Sequence, residues 1–506
     1  MQRLWIIACL VAPSRVLAQV PPLGVPGGVV RVDLDGSIET FDRRFFDGNR
    51  ESYAVDLASP ALGSDRIPSL ADADARIGRI TTNPSYRLNL GRLSADAMAD
   101  VGRGSLGLSL GLTDAITVFG RLPLVRTRVQ PTTGLDPSSA DAGLNPGAVT
   151  QSAFFVDFDA ALATLTAKIM AGDYNSDPAR LALAQATLAD AALLRDDLFA
   201  LLADPQTASP AVPTATSSTG AAVLSRVTGL QTVLASSLSV PGFTLVPTLP
   251  PSPLNDDELR QILAAPLALR VGQSRMTFRG DAELGVTLTL IDGWDRRSRR
   301  GGFRTAVSGL VRLPTGRTAA SDQPLAIGTS EGQTDLQGDV ITDLGAGNFG
   351  VRLAGTYVRQ LPANFLVRLT SPSQPLVGPE RLTLVRRDPG DIVAIDVRPF
   401  YRLARTLALQ VGLQHWSRRA DQASYPSPAD SLPELSASLL AEESGANATV
   451  LSAGITYANL GALRRGGTGW PVDAGWTYER VLRTGGGRVP DSHAVRARLR
   501  MYFGLW

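Results

Sequence analysis

Residues 492–506 read SHAVRARLRMYFGLW, and their alternation decides the fold. Successive side chains of an extended strand point to opposite faces. Val495, Ala497, Leu499, Met501, Phe503 and Leu505 therefore share one face, and Arg496, Arg498, Arg500 and Tyr502 the other. An arginine facing lipid at mid-membrane costs about 2–4 kcal/mol, so the apolar face must look outward and the arginines inward. The stretch ends on an aromatic residue, as does the signal read by barrel-assembly machinery, although Trp506 shares the parity of the arginines.

The same period recurs upstream. Residues 105–112 read SLGLSLGL and residues 281–290 read DAELGVTLTL, with aliphatics at every second position. Such segments occur at 29–42, 104–112, 116–129, 279–291, 303–313, 334–344, 349–360, 391–403, 407–418, 447–459, 471–482 and 492–506. A further alternating piece, Tyr86 to Leu93, is assigned to an extension of the second strand or a rim hairpin, because a closed single-chain barrel takes an even number. Short connections (113–115, 345–348, 404–406, and the somewhat longer 292–301 and 461–470) alternate with long ones (43–103, 130–277, 314–333, 361–390, 419–446, 483–491). That asymmetry is the pattern of an outer-membrane barrel with short periplasmic turns and long external loops; a soluble sandwich has no reason for it. The expectation is an all-β membrane barrel of about twelve antiparallel strands, carrying an inserted α-helical region.

Composition agrees with this reading. Of 506 residues 44% are hydrophobic and 19% charged, with a formal charge of +2. At about 150 residues per domain the length would suit three soluble domains, yet apolar residues spread at every second position around one barrel explain it better. No apolar run is long enough for a spanning helix, and the balanced charge argues against a nucleic-acid partner. Arg3, the apolar run Leu4 to Ala12 and Val16-Leu17-Ala18 read as an export signal cleaved after Ala18. Ile6-Ile7-Ala8-Cys9 also matches a lipoprotein site, but with too short an apolar core. Cleavage removes Cys9, the only cysteine, so neither disulfides nor thiolate-bound metals are expected.

The barrel divides as 19–129, with strands one to three and an external loop over 43–103, and 278–506, with the remaining nine. Between them, 130–277 carries helical spacing instead. Phe154, Phe158, Leu162, Leu165 and Ile169 form a stripe, Asp177-Pro178 reads as an N-cap and first helical residue, and Asn255 with Glu258 as a capping box. This insertion is expected on the outer side, where it could cap the pore, fold into it, stand free as a packed bundle without a ligand, or bind a protein partner.

Two motifs are lookalikes. Gly107-Leu108-Ser109-Leu110-Gly111 matches a nucleophile elbow, which needs a following helix and a histidine partner, and here lies within a strand. Gly345, Gly347 and Gly350 match a dinucleotide fingerprint but lead into a strand, so they mark a turn. Arg296, Arg297, Arg299 and Arg300 are placed in a periplasmic turn against anionic headgroups or water. His415 and His493 are the only histidines, too few for a metal site; His415 is read as an interfacial anchor. No catalytic residues, metal or cofactor are expected.

The charges on the inward parity remain. Acids gather at Asp33, Asp35, Glu39, Asp281, Glu283, Asp335, Asp339, Asp343 and Asp396. Arginines gather at Arg121, Arg312, Arg352, Arg398, Arg402, Arg496, Arg498 and Arg500. Either they pack the lumen as ion pairs, or they set a transverse field that selects solutes.

GLTDAITVFGRLPLVRTR (111–128), GLVRLPTGR (309–317) and GQTDLQGDVITDLGAGNFGVRLAGTYVRQLP (332–362) resemble outer-membrane barrels of the transporter-like family labelled "MetA-pathway of phenol degradation". The resemblance covers roughly 100–130 and 280–506 and leaves out the insertion. It implies an outer-membrane location and passage of small, often aromatic or hydrophobic, molecules, and transfers no binding residue. Function is therefore expected to be that of a channel or passive transporter, with a barrel that presents its helical insertion to a protein partner as the alternative.

Overall fold

The structure, a computed structural model, describes residues 23–293, 302–371, 374–404, 406–460 and 471–505. The export signal assigned to 1–18, the arginines between 296 and 300, and Trp506 lie outside the described residues.

Twelve strands form the wall. They are β1 (Val29–Phe41), β2 (Arg92–Gly111), β3 (Ile116–Asp136), β4 (Ala282–Asp292), β5 (Gly302–Leu313), β6 (Asp335–Ala346), β7 (Phe349–Gln360), β8 (Ile392–Arg402), β9 (Leu407–Arg418), β10 (Ala446–Asn459), β11 (Val472–Gly485) and β12 (His493–Gly504). Each pairs antiparallel with its sequence neighbour, and β1 also pairs with β12, from Val29 opposite Gly504 to Thr40 opposite His493. The sheet therefore closes on itself, as it must where lipid offers no partner to a free edge. A short segment, Ser274–Arg279, pairs with the outer part of β3 while β4 pairs with its inner part. The two occupy one position in the wall, so the count stays at twelve.

The outward face is apolar. Leu106, Leu108 and Leu122 are each more than half exposed, and aromatic residues Phe303, Phe349, Tyr401, Tyr457 and Phe503 stand exposed near the strand ends that meet the short turns. An apolar band with an aromatic girdle is the surface of a protein that stands in a bilayer. At the turn between β6 and β7 only Gly347 and Asn348 intervene, and Gly347 takes a φ of 58° that favours glycine.

β2 and β3 are longer than the sequence reading made them. β2 begins at Arg92 rather than 104, and β3 runs to Asp136 rather than 129. The reason is a change of phase. Within the membrane the apolar residues of β2 are the outward ones, such as Leu106 and Leu108. Above it the buried apolar residues are the inward ones, Leu93, Ala95, Ala97, Ala99 and Val101, while Asp96 points out. The strand continues, but its apolar face swaps sides as the outer solvent changes from lipid to water. Tyr86 to Gly91 is irregular chain with Tyr86, Leu88 and Leu90 buried, not strand, and only from Arg92 does the extension assigned to Tyr86–Leu93 form part of β2.

The inward face of this rising ribbon packs under helices. α1 (Ala71–Ile80) belongs to the connection after β1. α2 (Ala148–Ala171), α3 (Pro178–Leu202), α4 (Ser218–Thr232) and α5 (Asp256–Ala264) lie within 130–277, whose first residues, to Asp136, are still β3. Asp177 accepts from the amides of Ala179 and Arg180, both at 3.1 Å, and Asn255 with Glu258 forms a full capping box. Phe154, Phe158 and Leu165 are buried, with Phe158 stacked on Phe243 at 4.6 Å. One apolar core joins these helices to Leu93–Val101 of β2 and to Val125 and Val129 of β3.

The connections are tied together by charge. Asp421 accepts from Arg387 Nε at 2.7 Å and from the Gly390 amide at 3.0 Å, and also pairs with Arg418. Burial opposes its ionisation, yet Arg387 and Arg418 outweigh that and hold its carboxyl below the ordinary range. A carboxyl depressed on folding stabilises fully above its unfolded value, about 4, and loses that contribution as pH falls through the lower folded value. Backbone amides of 419–425 should therefore exchange slowly at pH 7 and faster at pH 3 beyond the intrinsic pH effect. Equal protection at both pH values would contradict this.

Candidate functional site

Inside the wall lies a cavity of about 240 Å³. Its floor comes from the N-terminal segment. Val25 is fully buried, its amide donates to Thr117 Oγ1 on β3 at 2.7 Å, and Leu23 lines the cavity. The Gly27 amide donates to Asp114 Oδ1 and the Gly28 amide to the Gly111 carbonyl, each at 3.0 Å. Gly111 is needed here, since a Cβ on it would strike the carbonyl oxygens of Val25 and Pro26. Residues 23–28 thus fold into the mouth at the short-turn end.

The roof comes from the connection between β5 and β6. Thr127 Oγ1 donates to the Ile327 carbonyl at 2.7 Å, and Thr329 Oγ1 to the Arg279 carbonyl at 3.0 Å. Asp281 sits in the break between Ser274–Arg279 and β4. It accepts from the Gly316 amide at 3.0 Å and Ser330 Oγ at 2.8 Å. The break frees that carboxylate from the ladder and turns it to the loop, which folds inward over the lumen.

The side walls carry ten of the seventeen charged positions selected from sequence: Asp33, Asp35, Arg121, Asp281, Glu283, Arg312, Asp335, Arg496, Arg498 and Arg500. They pair around the wall rather than across it. Arg500 meets Asp33 at 3.1 Å between β12 and β1. Arg312 on β5 bridges Glu283 on β4 at 3.3 Å and Asp335 on β6 at 2.8 Å, and Arg121 meets Glu283 at 3.4 Å and Asp35 at 3.8 Å. Of the two readings left open by the sequence, the wall follows the ion-paired one: the charges neutralise one another laterally, mostly between neighbouring strands. Phe119, Val125, Ala306 and Ile341 add apolar surface among these charges.

The other seven positions do not line this cavity. Glu39 is buried nearer the outer end of β1. Asp339 accepts from Ser308 Oγ at 2.9 Å and Thr356 Oγ1 at 2.8 Å. Asp343 lies between Arg304 and Arg352, in register across β5, β6 and β7, each pair at 2.6 Å. Asp396 pairs with Arg398 of its own strand at 2.7 Å. Arg402 departs from the lumen and donates to the Gly347 carbonyl in the β6–β7 turn; it is the last residue of β8, where parity no longer dictates direction. Ser109 of the elbow lookalike is buried between Asp33 and Arg31, at 3.2 and 3.1 Å. His415 is exposed on the outward face and bonds Thr449 Oγ1 at 3.1 Å.

Sequence reasoning passed over Arg31, Arg103, Arg304, Asp473 and Glu479, which belong to the same lumen system. Arg31 pairs with Asp33 at 2.8 Å, Arg498 with Asp473 at 3.3 Å and Arg496 with Glu479 at 2.8 Å. The signal was present, since each shares the parity of an inward residue on its strand.

The fold and cavity define a closed membrane barrel with a polar, obstructed lumen. No protein-family model matches the chain, and no curated protein matches it. Solved structures do resemble it. An outer membrane channel from Pseudomonas putida F1 aligns over 96% of this chain and all of its own, with 11% identity and a TM-score of 0.43. The translocator domain of the autotransporter NalP from Neisseria meningitidis covers 94% and 88%, at 7% identity and a TM-score of 0.32. A mutant of the monoaromatic hydrocarbon channel TodX covers 95% and 91%, at 9% identity and a TM-score of 0.30. Likeness this loose spans barrels of different roles and chooses none of them.

Proposed function

We propose that the chain is an outer-membrane channel or passive transporter for small solutes. The carrying observation is the cavity held between a folded-in N-terminal segment and a folded-in loop, within a wall that is apolar outside and polar inside. Size limits the cargo, because a cavity of about 240 Å³ takes a small molecule and not an oligomer. Lateral pairing of the wall charges leaves little net field, so the pore selects weakly by charge and chiefly by size and by contact with mixed polar and apolar surface. Purified full-length chain in planar bilayers should show small, discrete conductance steps with little preference between cations and anions. A chain that inserts but never conducts, even under high applied voltage, would overturn this reading.

A second reading is favoured by one feature. Val149, Val156 and Met170 on α2 and Leu193 on α3 remain at least two-thirds exposed. Exposed apolar residues on an otherwise packed helical region suit a protein partner at 130–277. Replacing all four by Ser should abolish capture of that partner while the barrel still inserts and conducts.

A further inference from the structure

Arginines crowd one place on the outer surface that the channel reading does not use. On β3 the outward residues below are Leu122 and Leu124, both more than half exposed within the apolar band. The next outward residues toward the long-loop end are Arg126 and Arg128. The neighbouring segment Ser274–Arg279 sets Arg279 opposite Leu124, Thr277 opposite Arg126 and Arg275 opposite Arg128. Arg126, Arg275 and Arg279 are exposed and Arg128 half-buried. Arg279 is steadied by a bond from Nε to the Thr315 carbonyl at 3.0 Å.

Like charges directly opposite each other on paired strands are destabilising. Arg128 and Arg275 are such a pair, and among the described residues neither forms an ion pair. Asp100, the acid opposite Arg128 on β2, faces the cluster but is not engaged with it within ion-pair distance. On the inward face of the wall, Arg312, Arg304, Arg352, Arg496, Arg498 and Arg500 each meet a carboxylate on an adjacent strand. Here, among the described residues, no carboxylate comes within ion-pair distance of the four arginines, and the cluster stands where the apolar band ends.

We propose that Arg126, Arg128, Arg275 and Arg279 form a binding site for a phosphate-bearing lipid of the outer leaflet. Guanidinium groups grip phosphate oxygens in pairs, and one phosphate between Arg128 and Arg275 removes their mutual repulsion. The acyl chains of the same molecule lie along Leu122 and Leu124 directly below. The shared phosphate chemistry would also suit free phosphate, but the exposed leucines beneath the cluster have a role only for a lipid. The proposal needs the chain to stand in a bilayer, as the channel reading does, but not to conduct.

The test uses detergent-purified full-length protein and three probes: phosphorylated lipid A, its dephosphorylated form, and inorganic phosphate. Phosphorylated lipid A should bind at least tenfold more tightly than either of the others. The quadruple variant R126Q/R128Q/R275Q/R279Q should lose at least tenfold of that affinity, and R128Q/R275Q most of it. Both variants should keep the heat-sensitive gel mobility of a folded barrel, and their conductance should match the original, which separates this proposal from the channel reading. Undiminished lipid A binding by the folded quadruple variant would overturn the site. Equally tight binding of inorganic phosphate would overturn its assignment to a lipid.

Discussion

Replacing Asp343 by Ala should lower the thermal stability of the barrel more than any other single change in the lumen, by about 3–5 kcal/mol. Arg304 and Asp343 have no solvent exposure, and Arg352 nearly none. Arg304 Nε donates to Asp343 Oδ2 at 2.7 Å, and Arg352 holds both carboxylate oxygens, at 2.6 and 2.7 Å. Removing the carboxylate leaves two buried cations on adjacent sides of the gap, with the cost of desolvating them no longer offset by their shared anion. The measurement is the temperature at which the folded gel form of the purified protein converts to the unfolded form. Replacing the row together, R304M/D343L/R352M, should recover most of the loss, because well-packed apolar side chains often match a buried ion cluster in stability. If D343A melts with the original protein, the row contributes nothing and the lateral-pairing account of the wall is wrong.

Gly111→Ala should open the channel. The added methyl would overlap the Val25 and Pro26 carbonyl oxygens, which are backbone atoms of the folded-in segment and cannot rotate aside. Residues 23–28 must then leave the mouth, taking Leu23 from the cavity floor. Conductance should rise severalfold relative to the original chain. Thr117→Val is the milder companion, since it removes only the bonds to the Val25 amide and carbonyl, and its increase should be smaller. Position 25 reports directly. With Cys9 the only native cysteine, a Val25→Cys probe placed beside Gly111→Ala in a C9S background should react with a periplasm-side thiol reagent faster than the same probe beside the native glycine. Unchanged conductance in both variants would show that the segment does not obstruct flow.

Much of this was legible in the sequence because lipid imposes a strict rule. Each membrane strand must put apolar groups outward, so parity alone located the twelve strands and turned the charges of 492–506 inward. Reading failed where the rule changes. At Gly102–Gly104 the apolar parity of β2 inverts, and a search for one continuous phase starts the strand at 104 although the backbone continues; on β3 the parity inverts at Leu124–Val125, and the reading carried the strand only to 129, short of its end at Asp136. Parity also says which side a charge faces but not which neighbour it meets. Whether Arg312 bridges Glu283 and Asp335 depends on strand register, which alternation leaves free, and so lateral pairing could not be told from opposed rings. The folded-in segment 23–28 carries no periodic signal, and Gly111, which its backbone approaches closely, was read only as part of the elbow lookalike. Asp281 was placed inward, but its task of holding a loop follows from the strand break beside it, which the sequence reading crossed by starting a strand at 279 and leaving 274–277 to the helical insertion.

The pairing of β1 with β12 has a consequence for how the molecule comes into being. It joins residues far apart in sequence, Val29 to Gly504, so the seam cannot form until β12 has been made and exported. Contacts so distant in sequence form late and slowly. Until then two strand edges stand open, each a template for pairing with another chain. Loss of β12 alone would therefore not yield a smaller barrel but an open sheet, and its twelve residues decide whether the other strands ever share a finished pore.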